Sequence, residues 1–296
     1  MASLKPARST SRFVEAGGLR LHYLDYGTPG LPPMLCVHGG AAHAHWFDFI
    51  APRLSTARHV LALDQRGHGE SEWAGTPAYT YARYAADLAE VVEKLELRDF
   101  VLIGHSMGGM ISLAYAGTYP DRVSRLAVLD GAFLSRPQSA PIHEQMSRWI
   151  DQLDRIGERE PSAFRTIEEA AKRLSTRNKR LTPELALHLA QHGVRKGADG
   201  LYHWKFDHYQ RARAPYRLSS DEYVALWSRI TCPTLLMWGD ESFLPDPEAA
   251  GLLAHFKQAE LQKIAGAGHW LHHDRLDLVL ASLRRFLDAP QPAQAR

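Results

Sequence analysis

The chain is poor in cysteine, carries little net charge and has no long apolar run. Its 296 residues include two cysteines, and 35 Lys and Arg residues against 33 Asp and Glu residues give a net charge of +2. A charge so close to balance gives no reason to expect a nucleic-acid partner. Cys36 lies in a predicted buried strand and Cys232 at the start of another, so we expect two small core residues rather than a disulfide bridge.

The sequence is also expected to lack segments for export or membrane insertion. No stretch has the apolar length of a membrane span, and the basic stretch Met1 to Arg12 lacks the apolar core of a signal peptide. We therefore expect no membrane partner and a cytoplasmic location. The chain shows no internal repeat, and segment 289–296, rich in proline, glutamine and alanine, is expected to be a disordered tail.

What the sequence does contain is an alternation of short β-rich runs and longer helical patterns. A hairpin is predicted first, with strands 13–16 and 19–26 joined at Gly17-Gly18. Further strands are predicted at 34–37, 60–63, 100–103, 126–129, 234–238 and 261–264, and helices at 81–95, 107–119, 249–256 and 275–287. Such alternation implies parallel strands with helices on both faces, and 45% hydrophobic residues suffice for one large core.

A G-x-S-x-G pentapeptide, Gly104 to Gly108, connects the predicted strand at 100–103 to a helical pattern. This order of strand, turn and helix is the context that a nucleophile elbow requires. The turn is so sharp that side chains at positions 104 or 108 would collide with neighbouring backbone, and the serine adopts strained dihedral angles. Ser106 is therefore the predicted nucleophile, with its Oγ held above the sheet.

Three further motifs follow predicted strands. They are His38-Gly39-Gly40, the block from Asp64 to Ser71, and Gly266-Ala267-Gly268-His269-Trp270. Together with the elbow, these motifs make the chain resemble the α/β-hydrolase fold family from about Arg12 to Leu287. The resemblance implies an α/β fold with a mostly parallel, doubly wound sheet and an inserted helical cap. The block from Asp64 to Ser71 is expected to be a structural turn.

The alternation of predicted strands and helices stops between Phe133 and about Ile230, where all the patterns are helical. The helical patterns cover 142–156, 166–174, 183–192 and 220–227. We interpret this segment as a helical cap that lies over the elbow. The predicted units are residues 12–134 as the first part of the hydrolase core, 135–230 as the cap, 231–288 as the second part of the core, and 289–296 as the tail.

A serine hydroxyl needs a base within hydrogen-bond reach and a third group that orients the base. The family order of serine, acid and histidine implies His269 as the base, because its loop returns to the carboxyl edge of the sheet beside the elbow. His272 and His273 are expected to be polar residues at a helix start. His38 and His105 are expected to make supporting hydrogen bonds.

The acid departs from the commoner family pattern. Many relatives carry it after the seventh strand as G-x-x-D, whereas Gly239-Asp240-Glu241-Ser242 has a serine at that place. Some relatives carry the acid at the end of the sixth strand, which makes Asp130 the predicted acid. Asp240, Glu241 and Asp246 remain alternatives, and so does a site without an acid.

The chemistry implied by the resemblance is acyl transfer. Ser106, deprotonated by His269, attacks an acyl carbonyl, and water then releases the acyl group. The oxyanion hole is assigned to the backbone N–H groups of Gly40 and Met107, with Ala41 as a substitute. Serine at position 106 argues against haloalkane dehalogenases and epoxide hydrolases of this fold, which use an aspartate nucleophile.

Aromatic side chains of the cap and mouth are the candidates for substrate contacts. They are Trp46, Phe133, Trp149, Trp204 and Trp270. The string Trp204 to Asp207 is similar to a W-K-F-D signature of the serine-hydrolase-like subgroup, which often lacks the seventh-strand acid. From Ser135 to Ile230, 17 Lys and Arg residues face 12 Asp and Glu residues. This surplus favours acidic substrates or reflects only a solvated helix surface.

These observations predict a capped serine hydrolase that acts on a carboxylic ester or lactone of moderate size, without a metal or organic cofactor. Its expected partner is a small-molecule substrate, and its oligomeric state and natural substrate stay open. One alternative keeps the triad for C–C bond hydrolysis or cofactor-free oxygenation. Another is a non-catalytic binding protein of the same fold, which the serine at position 242 favours and the pair Ser106 and His269 disfavours.

Overall fold

The computed structural model describes residues 9–75, 78–134, 140–158, 162–212 and 217–290. The predicted start of the cap at residue 135 and most of the predicted tail lie outside these residues, as do residues 1–8.

The central layer is one large β-sheet. The strands of the described residues, in this sheet and in a smaller one, are β1 (Thr10–Ala16), β2 (Leu19–Asp25), β3 (Pro33–Val37), β4 (His59–Leu63), β5 (Phe100–His105), β6 (Val123–Leu129), β7 (Ala163–Phe164), β8 (Val194–Lys196), β9 (Tyr202–Trp204), β10 (Thr234–Gly239) and β11 (Ala259–Ile264). The large sheet has the spatial order β1-β2-β4-β3-β5-β6-β10-β11. β2 pairs antiparallel with β1 and β4, and the other neighbours pair parallel.

Helices cover both faces of this sheet. The helices of the described residues, on this sheet and elsewhere, are α1 (Ala51–Leu54), α2 (Tyr81–Lys94), α3 (Met107–Thr118), α4 (Ile142–Glu158), α5 (Ile167–Arg177), α6 (Pro183–Gly193), α7 (Ser220–Trp227), α8 (Leu271–Asp274) and α9 (Leu276–Asp288). Phe100 and Leu102 of β5 pack with α2, α3 and α7, whereas Val101 and Ile103 pack with α1 and α9. Alternate side chains of a strand point to opposite faces, so the doubly wound α/β fold is confirmed.

The segment predicted as helical only also contains a small sheet. β7, β9 and β8 form an antiparallel sheet in that order, beside α4, α5 and α6. The prediction of helices alone was wrong because strands of two or three residues are too short to give a period in the sequence. The predicted helix at 249–256 is likewise only one 3₁₀ turn, Leu252–His255.

One helix of the predicted cap packs against the hydrolase core instead. A Cβ on Gly117, near the end of α3, would lie 2.3 Å from the backbone oxygen of Leu226 in α7, and Trp227 is fully buried with the core residues. Gly117 lies ten residues beyond Met107, about 15 Å along the helix from the elbow. α7 therefore packs on the hydrolase core, and the covering of the elbow by the rest of the segment stays a prediction.

The string that resembles the W-K-F-D signature joins the cap to the core. Phe206 forms a β-bridge with His68, and the N–H of Asp207 donates to the backbone oxygen of Gly67 at 2.8 Å. The hydroxyl of Tyr79 donates to Oδ2 of Asp207 at 2.5 Å. These contacts fix the cap on the turn that follows β4.

Cys36 and Cys232 are buried and free, which confirms that they form no disulfide bridge with each other. Among the described residues, no helix is long and apolar enough to cross a membrane. The cytoplasmic location expected from the sequence stays a prediction.

Candidate active site

Ser106 stands in a sharp turn between β5 and α3. Its φ of 52° and ψ of −119° are unusual for a residue with a side chain. A Cβ on Gly104 would lie 2.4 Å from the backbone oxygen of Gly108, and a Cβ on Gly108 would lie 2.2 Å from that of Val37. The close approach of the backbone therefore requires both glycines of the pentapeptide, as predicted from the motif.

The structure brings Ser106, His269 and Asp130 into one hydrogen-bonded series. Nε2 of His269 lies 2.8 Å from Oγ of Ser106, and Nδ1 lies 2.6 Å from Oδ2 of Asp130. The Asp130 side chain is fully buried. A carboxylate that accepts the Nδ1 proton leaves Nε2 as an acceptor that faces the hydroxyl, which is the tautomer a general base needs.

Asp130 follows β6 and is held by contacts with the end of β10. Its backbone N–H donates to the oxygen of Met237 at 2.7 Å, and its φ is 47°. The Ser242 hydroxyl donates to Oδ2 at 2.5 Å, and the N–H of Gly239 donates to Oδ1 at 3.4 Å. The serine that stands at the seventh-strand position of the acid thus hydrogen-bonds the sixth-strand carboxylate.

The alternative acids have other partners. Oδ1 of Asp240 accepts the N–H of Gly266 at 2.8 Å, and Asp246 pairs with Lys263 at 2.7 Å. Glu241 forms an ion pair with an arginine of the cap. In the described part of the chain, none of the three carboxylates hydrogen-bonds the imidazole that contacts the nucleophile.

The loop after β3 lies against the elbow. A Cβ on Gly40 would lie 3.8 Å from Sδ of Met107. The N–H of Met107 is in the first turn of α3, where backbone donors have no acceptor within the helix. The N–H of Ala41 donates to Nε2 of His68 at 3.1 Å, so this donor is already used. The N–H of Ala41 is therefore not free to bind an anion, and the assignment of Gly40 and Met107 as the donors stays a prediction.

His38 and His105 make hydrogen bonds around the site. Nε2 of His38 accepts the N–H of Gln65 at 3.1 Å, and Nε2 of His105 donates to the backbone oxygen of His269 at 2.9 Å. Burial lowers the pKa of His38 and lowers the pKa of His105 well below its usual value. The lowered pKa values favour the neutral form of both rings, which hold the loops of Gln65 and His269 through these hydrogen bonds.

The block from Asp64 to Ser71 forms a tight turn beside the site. The Asp64 carboxylate accepts the N–H of Ala44 at 2.6 Å, the N–H of Glu70 at 3.0 Å and Nδ1 of His22 at 2.7 Å. Burial alone would raise the pKa of Asp64, but the hydrogen bond and charge of His22 lower it below its usual value. This carboxylate joins three segments, in agreement with the expected structural turn.

His272 and His273 lie in the short helix α8. His272 is fully buried, which lowers its pKa well below the usual value, and its ring stands 4.5 Å from that of His105. Nε2 of His273 donates to the backbone oxygen of Trp46 at 3.1 Å. The pair lies at the start of a helix, as expected, and packs behind the site.

The five aromatic residues predicted to contact the substrate lie in different parts of the structure. Trp204 lines a cleft of about 790 Å³ that reaches Gly40 and Ala41. Trp46 and Trp270 pack in the apolar cluster between core and cap, Phe133 packs on the main core, and Trp149 is half-buried on α4.

Two features of this region were not predicted from the sequence. Arg173, Arg177 and Arg211 line the same cleft, and within the described chain none of them forms an ion pair with a carboxylate. Phe243 is 72% exposed, and its ring lies 4.4 Å from that of His269. The surplus of positive charge in the cap indicated basic residues there but did not identify these three arginines. No motif or pattern around Phe243 marked it as a residue of the site.

Comparison with known proteins agrees with this architecture. The α/β hydrolase fold family matches residues 32–276. The chain is 27% identical over 265 residues to Esterase YbfF of Escherichia coli (strain K12), covering 86% of this chain and 93% of the relative. It is 24% identical over 299 residues to Epoxide hydrolase 1 of Caenorhabditis elegans, covering 95% and 71%.

The thioesterase domain from the curacin biosynthetic pathway superposes with a TM-score of 0.83 at 26% identity, over 94% of this chain and 99% of that one. With a family match over most of its length and a site built on the nucleophile elbow, the chain belongs to the α/β hydrolase fold family.

Proposed function

We propose that the chain is a serine hydrolase that cleaves a carboxylic ester or lactone through an acyl-enzyme intermediate. The observation that carries the proposal is the hydrogen-bonded series from Ser106 through His269 to Asp130 on the elbow of this fold. Esterase YbfF, similar over most of the chain, supports the same class of reaction.

Each group of the series has one role in this reaction. His269 takes the hydroxyl proton through Nε2 as Oγ of Ser106 attacks the acyl carbonyl, and Asp130 stabilises the imidazolium that forms. The imidazolium then gives its proton to the leaving alcohol. Water attacks the acyl-enzyme with His269 again as the base, which releases the acid and restores Ser106.

Gly40 and Met107 complete the site as donors to the tetrahedral oxyanion. Their N–H groups belong to the loop after β3 and to the first turn of α3, which meet at the elbow, and fixed backbone donors need no reorganisation as charge develops. Removing one such donor from an acyl-transfer site costs about 3 kcal/mol.

The nucleophile separates this proposal from the epoxide-opening relatives. Epoxide hydrolases of this fold use an aspartate at the elbow, whereas this chain has Ser106. An acyl-enzyme on a serine ester is the intermediate that such a residue forms.

The cleft indicates a substrate that carries an anionic group away from its scissile bond. Arg173, Arg177 and Arg211 line the cleft that ends at Gly40. Burial lowers the pKa of Arg211, and the positive charges of Arg177 and Arg173 lower it further. Three guanidinium groups that repel one another are relieved by a bound carboxylate or phosphate.

A matched pair of esters tests both parts of the proposal. p-Nitrophenyl hexanoate and mono-p-nitrophenyl adipate have acyl chains of equal length and differ in a terminal carboxylate. We expect the adipate to have the higher kcat/KM, and the Arg177→Gln, Arg211→Gln double variant to lose at least about tenfold of that preference. Arg148→Gln is the control, because Arg148 pairs with Glu144 on the surface of α4.

The outcomes distinguish the two claims. Labelling of Ser106 by a fluorophosphonate together with equal rates for the two esters would overturn the anionic substrate and keep the serine hydrolase. Absence of both labelling and ester hydrolysis in the folded protein would overturn the serine hydrolase and favour a ligand-binding protein.

A further inference from the structure

Four side chains with metal-ligating atoms meet where the cap contacts the core, apart from the catalytic series. His45 and Asp48 lie in and just after the 3₁₀ turn Ala44–Phe47, which follows the loop of Gly40. His188 and His192 lie on α6, four residues apart and so on one face of the helix. One ligand atom from each residue lies within 4.8 Å of the others.

The Asp48 carboxylate is the centre of this cluster. Nδ1 of His45 lies 2.9 Å from its Oδ2, and Nε2 of His188 lies 2.7 Å from the same oxygen. The ring of His192 stacks on that of His45, with centroids 3.5 Å apart. Two imidazoles thus contact one carboxylate oxygen at the junction, and the third ring stacks on one of them.

The cluster is largely shielded from solvent and supported from behind. The side chains of Asp48, His188 and His45 are 4%, 14% and 19% exposed. The hydroxyl of Tyr26 donates to Oδ1 of Asp48 at 2.6 Å, which directs the other carboxylate oxygen toward the histidines. Hydrogen bonds of this kind orient ligands around bound metals.

We propose that His45, Asp48, His188 and His192 bind one divalent transition-metal ion, with Zn²⁺ as the best match. Three imidazole nitrogens and one carboxylate oxygen are ligands typical of zinc, whereas Ca²⁺ and Mg²⁺ prefer oxygen alone. Zinc bonds of 2.0–2.1 Å in a tetrahedron separate the ligand atoms by about 3.3 Å. Atoms already within 4.8 Å reach that spacing through small side-chain rotations.

The proposed role of the ion is to join the cap to the core. Two ligands belong to the segment between β3 and β4 and two belong to α6, so the bound ion cross-links parts of the chain about 140 residues apart. Four protein ligands fill a tetrahedral site, which is typical of structural zinc. An ion that binds the folded chain but not the unfolded chain raises the stability of the folded chain.

The test measures metal binding by chelator-treated protein without a polyhistidine tag. We expect one Zn²⁺ per chain by calorimetry, and Co²⁺ to give the intense visible absorption of a four-coordinate ion. His192→Phe keeps a ring that can stack on His45 but removes the nitrogens, so we expect at least tenfold weaker Zn²⁺ binding. Tyr26→Phe should weaken binding by about 10–100-fold through the lost hydrogen bond.

The matched control is His143→Phe, since His143 is an exposed histidine of the cap helix α4. We expect it to bind Zn²⁺ as the wild-type chain does, and a given concentration of Zn²⁺ to raise the melting temperature of both more than that of His192→Phe. Absence of stoichiometric Zn²⁺ binding by the wild-type chain would overturn the proposal, and so would unchanged affinity in His192→Phe. Ser106→Ala should bind Zn²⁺ normally, so the result does not depend on the proposed hydrolase activity.

Discussion

At the scale of single residues, Ser106 and His269 act as one unit in the proposed mechanism. Ser106→Ala removes one hydroxyl whose partner is the imidazole, so we expect an intact fold and a loss of kcat of about 10⁴-fold or more. His269→Ala should agree with it within roughly tenfold, because effects within such a unit do not add. Turnover of p-nitrophenyl butyrate measures both. More than a few per cent of wild-type activity in Ser106→Ala would show that another residue is the nucleophile.

The acid is tested by amide replacements of equal shape. Asp130→Asn should lower kcat by around 10⁴-fold, because an amide no longer fixes the imidazole tautomer or stabilises the imidazolium. Asp240→Asn and Asp246→Asn are the controls, since their carboxylates contact Gly266 and Lys263 instead.

Position 242 offers a second test of the acid. Oγ of Ser242 already lies 2.5 Å from the Asp130 carboxylate, so Ser242→Asp in the Asp130→Asn variant should restore part of kcat. An inactive Asp240→Asn beside an active Asp130→Asn would place the acid on the seventh-strand side.

At the scale of elements, the cap should govern specificity more than chemistry. Trp204 in β9 lines the cleft, and its ring stacks on that of Phe206 with centroids 6.0 Å apart. Trp204→Ala should raise the KM for p-nitrophenyl hexanoate about tenfold while kcat for the acetate changes little, because short substrates need few cap contacts. Trp149→Ala on α4 should leave the ratio of kcat/KM for the hexanoate to kcat/KM for the acetate unchanged. Equal losses for both esters with a lower melting temperature would instead assign Trp204 to the fold.

At the scale of the whole molecule, buried histidines make stability depend on pH. Burial, followed by the charge of a neighbouring histidine, lowers the pKa of His68 from 6.5 to about 3, and burial also lowers the pKa of His38, His105 and His272. Between these values and 6.5 the unfolded chain binds more protons than the folded chain, so stability falls as pH falls below 6.5. Between its folded and unfolded pKa values, each such histidine lowers the free energy of unfolding by about 1.4 kcal/mol for each unit by which the pH falls.

Urea unfolding at pH 7.5, 6.5, 5.5 and 5.0 measures this dependence. We expect little contribution from these groups above pH 6.5 and a fall equivalent to more than one proton below it. Asp64 has a lowered pKa as well, but its contribution is lost only below the usual carboxylate range near pH 4. A free energy of unfolding that stays constant from pH 6.5 to 5.0 would show that these histidines are protonated in the folded chain.

The sequence by itself determined the features that local patterns encode. Apolar runs gave the strands of the sheet, and the pentapeptide around Ser106 placed the elbow, because both signals lie within a few consecutive residues. The end of β6 was enough to make Asp130 a candidate acid. The sequence could not exclude Asp240 or Asp246 as the acid, since Asp130, Asp240 and Asp246 all follow strands at the same edge of the sheet.

Only the tertiary structure decided how distant segments meet. It brought Ser242 to the carboxylate of Asp130, packed α7 against α3, placed three arginines around the cleft that reaches Gly40, and placed the histidines of α6 beside Asp48. These contacts join residues far apart in the chain and depend on where the cap sits. No short-range periodicity carries that information, because the position of the cap is fixed by side-chain packing and hydrogen bonds such as those of Phe206 and Asp207.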